Sequence, residues 1–561
     1  MKRYIIATQI FLALMMMSCT DYFESDSSSV IKADKYVYAS ELEARAGLIG
    51  LLQGMQQTAE DYCLMGELRG DLMTTTVNSS QELHDIAEFN ATADNSLLNL
   101  RTRYALINDC NYYISHIDTT LTQQQDNQAV KYMVPYMVQA KAIRAWTYLN
   151  LCLDYGKVSY TTQPILDVAN ADQSQTMMLD ELLGVLVNDM RDAIALLPAP
   201  QSLGDVWVAG FDDPGFTSSV AYDGFRAKQL LLPLKFILGE LYMWQGDFGS
   251  AVQTYYELIL HNRLLMCDWY NSYSDDGSAV TVQFWPRLFE SMSYQDVLTS
   301  VVFSNDHKEN EAHLHKMATS DYTIAPSSAL VNYFNEQFYF TNKPISGDLR
   351  GLYGTYSLVE SAVGDNDVFD AKIDKYGWMR NSAHYYLPLC RSALIYLRYA
   401  EALNRLGNPK LAFNGFLKYG LCAQNFKDYQ NTEFKGCDNG EPYIDFGQKD
   451  LEGDLAEIFR QNNKGFHARG CGKVEMNPDY KLEEQPTLQD SIMFVEDAIM
   501  TETVLEMALE GNRFHDLMRI SRYRNDPSYL ANKVAAKFPA SEREPIRAKL
   551  MVASNWYLPT E

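Results

Sequence analysis

The chain has 561 residues, 47% of them hydrophobic and 21% charged, with a formal net charge of −25. That balance excludes a disordered chain and a polytopic membrane protein. So acidic a body repels phosphate backbones and anionic headgroups, which argues against nucleic acid as a partner.

The first element is a targeting segment. Lys2 and Arg3 precede an almost uncharged run from Ile5 to Met17, followed by Ser18 and Cys19, the layout of a secretory signal. The run is shorter than the roughly 20 apolar residues that span a bilayer. Met16-Met17-Ser18-Cys19 resembles the box at which bacterial lipoproteins are cut and acylated. Residues 1–18 are therefore expected to be removed and Cys19 to carry the lipid anchor, palmitate among its chains. The alternative is an ordinary signal peptide with a chance cysteine. Stable anchoring needs two or more chains, and residues 19–40 then read as a polar tether.

Helical periodicity begins at residue 41. Amphipathic patterns cover 41–59, 97–117, 179–196 and 496–519. Pro135 opens a further helix to Tyr155, with Ala142, Trp146, Leu149 and Leu153 on one stripe and Gly156 as its stop. An internal repeat lies between these helices. Gly239, Tyr242, Gly246, Ala251 and Tyr255 recur in spacing as Ala400, Leu403, Gly407, Ala412 and Phe416. Small residues let one helix approach the next, a glycine turns the chain and an aromatic fills the groove, as in tetratricopeptide units. Residues 227–260 and 394–420 should each be an antiparallel helix pair. From about 261 to 380, and again from about 424 to 490, periodicity fades among aromatics, Asp, Asn and Ser. The fold expected is mainly α: one domain over 41–561, a tetratricopeptide-like hairpin scaffold carrying two loop-rich insertions and a few short strands. Long ordered loops on a rigid scaffold commonly carry recognition.

Chemical motifs are sparse. HExxH, GxSxG, the P-loop and a complete dinucleotide fingerprint are all missing. Gly470-Cys471-Gly472 reads as a turn, and Arg69-Gly70-Asp71 is too short a match to mean adhesion. His313-Leu314-His315 could form half of a metal site but lacks an evident third ligand. Glu510, Arg513, Asp516 and Arg519 are three residues apart and read as a charged ladder on one helix, with Arg398 and Glu401 as a bracing pair. No catalytic residue, metal or cofactor is expected, although a glycosidase needs only two carboxylates and a pair among so many acids stays open. Besides Cys19 there are eight cysteines and no CxxC pair. Cys110 and Cys152 sit in helical patterns as buried thiols, while Cys437 with Cys471 is the pair that export would permit to bond.

Several fragments fall in a telling order: Tyr104-x-x-Ile107-x-x-x-Asn111, Arg144-Ala145-Trp146-Thr147-Tyr148, Asp154-Tyr155-Gly156, Ala325-Pro326-Ser327 and Asp348-Leu349-Arg350. They continue with Leu397-Arg398-Tyr399-Ala400-Glu401-Ala402-Leu403-Asn404, Glu506, Glu510-Gly511-Asn512-Arg513, Asp516-Leu517-x-Arg519 and Trp556-Tyr557-Leu558-Pro559. Over nearly the whole mature chain this set resembles the SusD/RagB family of Bacteroidetes outer-membrane lipoproteins. Leu100 stands where that family often has Trp, and Asp348-Leu349-Arg350 replaces Asp-Pro-Arg, which marks a divergent member. The resemblance implies non-catalytic capture of a nutrient, usually an oligosaccharide or polysaccharide, at the cell exterior. It also implies delivery to a SusC-like TonB-dependent transporter; peptide, glycoprotein or another nutrient is the alternative cargo.

A sugar binder needs aromatic plates beside planar hydrogen-bonding groups. Two regions offer them. One follows the first long helix, with Arg69, Asp71, Phe89 and Asn90, where family members often bind ligand. The other is the loop with Trp269, Tyr270 and Tyr273, with Trp285 nearby. Trp and Tyr mostly bury their rings, and Asp71 could equally cap a turn.

Overall fold

The computed structural model describes residues 33–125, 127–167, 174–197, 227–261, 272–273, 280–281, 284–290, 296–304, 312–340, 344–352, 354–359, 371–380, 384–420, 465–470, 475–476 and 480–560. The expected cleavage site, Cys19, the bulk of the tether, Trp269, Tyr270 and the Cys437–Cys471 pair lie outside them.

The first helix, α1, spans Glu41–Leu68, with the Ser40 hydroxyl accepting from the Glu43 amide at its N-terminus. It runs past the expected end at 59 because Cys63, Leu64, Met65 and Leu68 prolong its buried stripe. A short strand β1 (Met73–Thr75) and helix α2 (Gln81–Ala87) follow. Helices α3 (Leu100–His116), α4 (Val134–Tyr155) and α5 (Leu179–Ala195) match their predicted ranges within a few residues, and α4 stops at left-handed Gly156. The first repeat is the hairpin α6 (Leu234–Gln245) and α7 (Phe248–His261), turned at Gly246. Its glycine logic is visible: a Cβ on Gly239 would sit 2.5 Å from the Tyr255 ring.

The described part of 261–380 carries short helices and strands that pack into the core. Helix α8 (Phe284–Glu290) and strand β2 (Val297–Ser304) carry buried Trp285, Leu288, Phe289, Val301 and Phe303 into the core. Helix α9 (His313–Thr319), strand β3 (Ile324–Pro326) and helix α10 (Ser328–Asn335) come next. Strand β3 pairs antiparallel with β1, and β4 (His384–Arg391) pairs with β2.

The second repeat is α11 (Ser392–Arg405), a turn at Gly407 and a return limb that widens into a π-helix over Ala412–Lys418. Phe416 meets Tyr399 edge-on at 5.2 Å, the groove-filling contact that the repeat requires.

The pattern 496–519 is two helices, α12 (Leu488–Met507) and α13 (Arg513–Arg524), broken where Leu509 and Gly511 take φ of 68° and 94°. Helices α14 (Pro527–Ala535) and α15 (Ala540–Leu550) complete the chain.

Neighbours in sequence are neighbours in space. Helix α3 packs on α4, α4 on α5, α5 on α6 and α6 on α7, after which α7 meets α11 and α11 meets α12. One apolar cluster runs through them from Ala44 to Leu558. No helix among the described residues is long and apolar enough to cross a membrane.

Charges lie within this core. Arg391 is surrounded by Asp296, Glu506 and Glu510, and Arg350 by Asp348, Glu502 and Glu506, all buried. The helix break disposes of the single charged ladder. Glu510 lies outside both helices and binds Lys375 and Arg391, Arg513 binds Asp71, and Asp516 binds Arg398 and Arg519. Arg398 does sit 3.7 Å from Glu401, but its closer partners are Asp516 and Glu240.

Candidate functional site

The residues expected to meet a ligand separate sharply by burial. Arg69 caps the C-terminal end of α1 in full burial, donating to the Trp556 carbonyl at 3.0 Å and pairing with Asp154. Asp154 also holds Arg103, and His515 lies 3.0 Å away. Asp71 is buried in a two-pronged pair with Arg513, at 2.5 and 2.8 Å. Burial works to raise its pKa, but Arg513 outweighs burial and holds the carboxyl below its usual range. Trp285 is wholly buried, its indole N–H donating to Thr355 at 3.3 Å and its ring edge-on to Phe289. These three are core groups rather than surface plates: a charge enters the interior only with partners, and a tryptophan gains most by burying its rings. Phe89 is half-buried against Phe514, with Lys549 donating to its carbonyl. Asn90 remains exposed, its side-chain oxygen held by Lys549 at 2.6 Å. Tyr273 lies on a two-residue strand paired with 280–281.

What the region after α1 brings to the surface is a pair of turns. The register Met73↔Pro326, Thr74↔Ala325, Thr75↔Ile324 sets turn 76–79 beside turn 320–323. Thr76 donates to the Tyr322 carbonyl, Asn78 to the Asp321 carbonyl at 3.3 Å and Ser79 to the Thr323 carbonyl at 2.6 Å. On this cross-linked base Val77 is 100% and Tyr322 46% exposed, and Tyr322 holds a left-handed φ of 51°. An exposed ring on a backbone conformation that non-glycine residues seldom take is a mark of recognition surfaces. The sequence carried one signal for it, an aromatic within Ser320-Asp321-Tyr322-Thr323 between a helical pattern and Ala325-Pro326-Ser327.

Helix α9 links this platform to a cleft of about 400 Å³ between α1, the start of α3 and the end of β2. Leu64, Leu97, Phe303 and Met317 give it apolar wall, while Gln57, Asn99 and Thr102 supply amides and a hydroxyl. The Glu60 carboxylate accepts the His313 and Leu314 amides at 3.1 and 2.8 Å and so caps α9. Asp61 accepts from Asn99 at 2.9 Å, and burial pushes its pKa upward despite Arg103. Such a lining can hydrogen-bond hydroxyls while covering C–H faces. The two histidines do not act together. His313 faces the cleft, whereas His315 is half-buried against Tyr385, and burial lowers its pKa to about 4. Among the described residues no group of three or more His, Cys, Asp or Glu is arranged to hold a metal.

No protein-family profile matches the sequence, and no curated protein does. Solved structures do match. The surface glycan-binding protein A of Bacteroides uniformis shares 16% identity at a TM-score of 0.57, over 93% of this chain and 96% of its own. A SusD superfamily protein of Bacteroides vulgatus shares 11% at 0.55, over 91% and 93%. A SusD-like carbohydrate-binding protein of Bacteroides fragilis shares 16% at 0.53, over 87% and 88%. Agreement over nearly the full length of both partners, at so little identity, is agreement of architecture: the chain has the SusD-like fold.

Proposed function

We propose that this protein is a non-catalytic glycan-binding lipoprotein of the SusD/RagB family, anchored through Cys19 on the outer face of an outer membrane. It hands its ligand to a SusC-like TonB-dependent transporter. One observation carries the reading: full-length likeness to proteins described as carbohydrate- and surface-glycan-binding. The Met16-Met17-Ser18-Cys19 box supports the anchor, and the ordered family fragments support the transporter. The platform of Val77 and Tyr322, with the amide- and hydroxyl-lined cleft behind it, offers the groups a sugar requires. Trp269, Tyr270 and Tyr273 complete the proposal as further aromatic plates.

Isothermal titration of the purified ectodomain against a panel of neutral and acidic polysaccharides tests it. Tyr322→Ala is expected to weaken binding roughly three- to tenfold with an unchanged thermal midpoint, and Trp269→Ala with Tyr270→Ala to do the same. Tight binding of peptides with none of the glycans would replace sugar by peptide as the cargo.

A further inference from the structure

A second cleft, of about 520 Å³, lies between α10 and α14, with Arg543 of α15 at its edge. Tyr333 and Tyr529 provide rings, and Asn332 and Asn532 provide side-chain amides. Its charges are distinctive in a protein of net charge −25. Lys533 and Arg543 both line the cleft, and neither has a carboxylate within ion-pair distance among the described residues, although Lys533 is near enough to Asp71 to help lower its pKa. The Lys533 ammonium donates to the Tyr333 hydroxyl at 3.1 Å, and the Arg543 Nε to the Phe538 carbonyl at 2.8 Å. The opposing charges are Asp71 and Glu336. Asp71 is already neutralised by Arg513, which also donates to the Tyr333 hydroxyl at 3.0 Å. Glu336 is exposed at the rim. The hydroxyl of Tyr529 is buried without a hydrogen-bond partner among the described residues.

Arg543 is exposed and Lys533 half-buried, so neither holds a short ion pair that an incoming anion would have to displace. The tyrosine rings and amides beside them suit the body of a sugar, and Glu336 can accept from its hydroxyls. We propose that this cleft is a second binding site, selective for a sugar residue bearing an acidic group, a uronate carboxylate or a sulfate ester. The inference rests on the glycan reading only in taking the ligand's body to be a sugar, and it uses a different site.

The test is titration of the full ectodomain with galacturonate oligomers, a sulfated glycosaminoglycan oligomer, a neutral oligomer of equal length and inorganic sulfate. Lys533→Gln and the double variant Lys533→Gln/Arg543→Gln are measured beside the wild type, with thermal midpoints to show that the fold is kept. The wild type should bind at least one acidic oligomer more tightly than the neutral one and lose affinity as salt rises. The double variant should lose roughly tenfold or more, with the single variant in between. Which acidic oligomer binds tells carboxylate from sulfate. Equal affinity for acidic and neutral oligomers, no acidic binding at all, or an unaffected double variant each overturns the proposal. Inorganic sulfate matching the acidic oligomers would overturn the sugar component. Neutral-glycan binding that is lost in Tyr322→Ala but kept in the double variant separates this site's failure from that of the general glycan reading.

Discussion

Arg391 is fully buried, yet oxygens of Asp296, Glu506 and Glu510 approach its guanidinium at 2.6 to 3.4 Å. Such a group gives little net stability by being present and costs much when a partner is removed, because the remaining charges stay buried. Arg391→Met should therefore destabilise by about 3–5 kcal/mol in denaturant unfolding; a loss under 1 kcal/mol would mean that the surrounding carboxylates are not ionised. The same groups set the response to acid. Burial would raise the pKa of Glu506, but Arg469, Arg391 and Arg350 bring it to about 2, and Asp154 is likewise depressed by Arg103 and Arg69. A carboxyl depressed in the folded state contributes fully above its unfolded pKa, and the contribution is lost as pH falls through the folded one. Stability should thus fall between about pH 4.5 and 2. Glu67 works the other way: burial raises it to about 7, so its cost appears as pH climbs from about 4.5 through 7. Glu67→Gln should gain on the wild type between about pH 5 and 8, read as a diverging pair of thermal midpoints. Residue pairs were legible in the sequence only where spacing makes neighbours. Arg398 with Glu401 could be read off one helix, whereas Arg398 with Glu240 and Arg513 with Asp71 depend on the tertiary path.

Glycine separates helices that touch from helices that do not. A Cβ on Gly66 of α1 would fall 1.8 Å from the Gly511 carbonyl oxygen, backbone against backbone, in the bend between α12 and α13. A Cβ on Gly184 of α5 meets nothing within 4 Å. Gly66→Ala should cost roughly 3 kcal/mol, while Gly184→Ala should add up to about 1 kcal/mol through helix propensity alone. A chemical-denaturation series on the two variants checks both signs. The helices α3, α4 and α5 were readable from their apolar stripes, and α4 also from Pro135 at its start and Gly156 at its end. The break at Leu509–Gly511 was not, since charged residues of fitting period continue across it and the bend exists to meet α1. The π-helix was equally hidden: Phe416 keeps its groove-filling place while its backbone hydrogen bonds shift.

For the molecule as a whole, Cys19→Ala should move the protein from the membrane fraction to the soluble one; equal partitioning of variant and wild type would refute the anchor. The family-like fragments made the architecture legible from end to end. The ligand surface was far less so, because aromatic rings were sought in long loops, whereas α8 carries Trp285 into the core and the exposed ring of Tyr322 rides a four-residue turn. One more consequence follows from Arg69. It lies early in the chain, but its partners come from Asp154 in α4, beside His515 of α13, and from the Trp556 carbonyl close to the end. Leu558 adds a backbone bond to the Asp154 carbonyl at 2.8 Å. A nascent chain that closed its first helices early would trap a guanidinium still lacking one of its acceptors. The segment Trp556–Leu558 therefore closes over the end of α1, and the packing of α1 on α4 is complete only once this segment has docked.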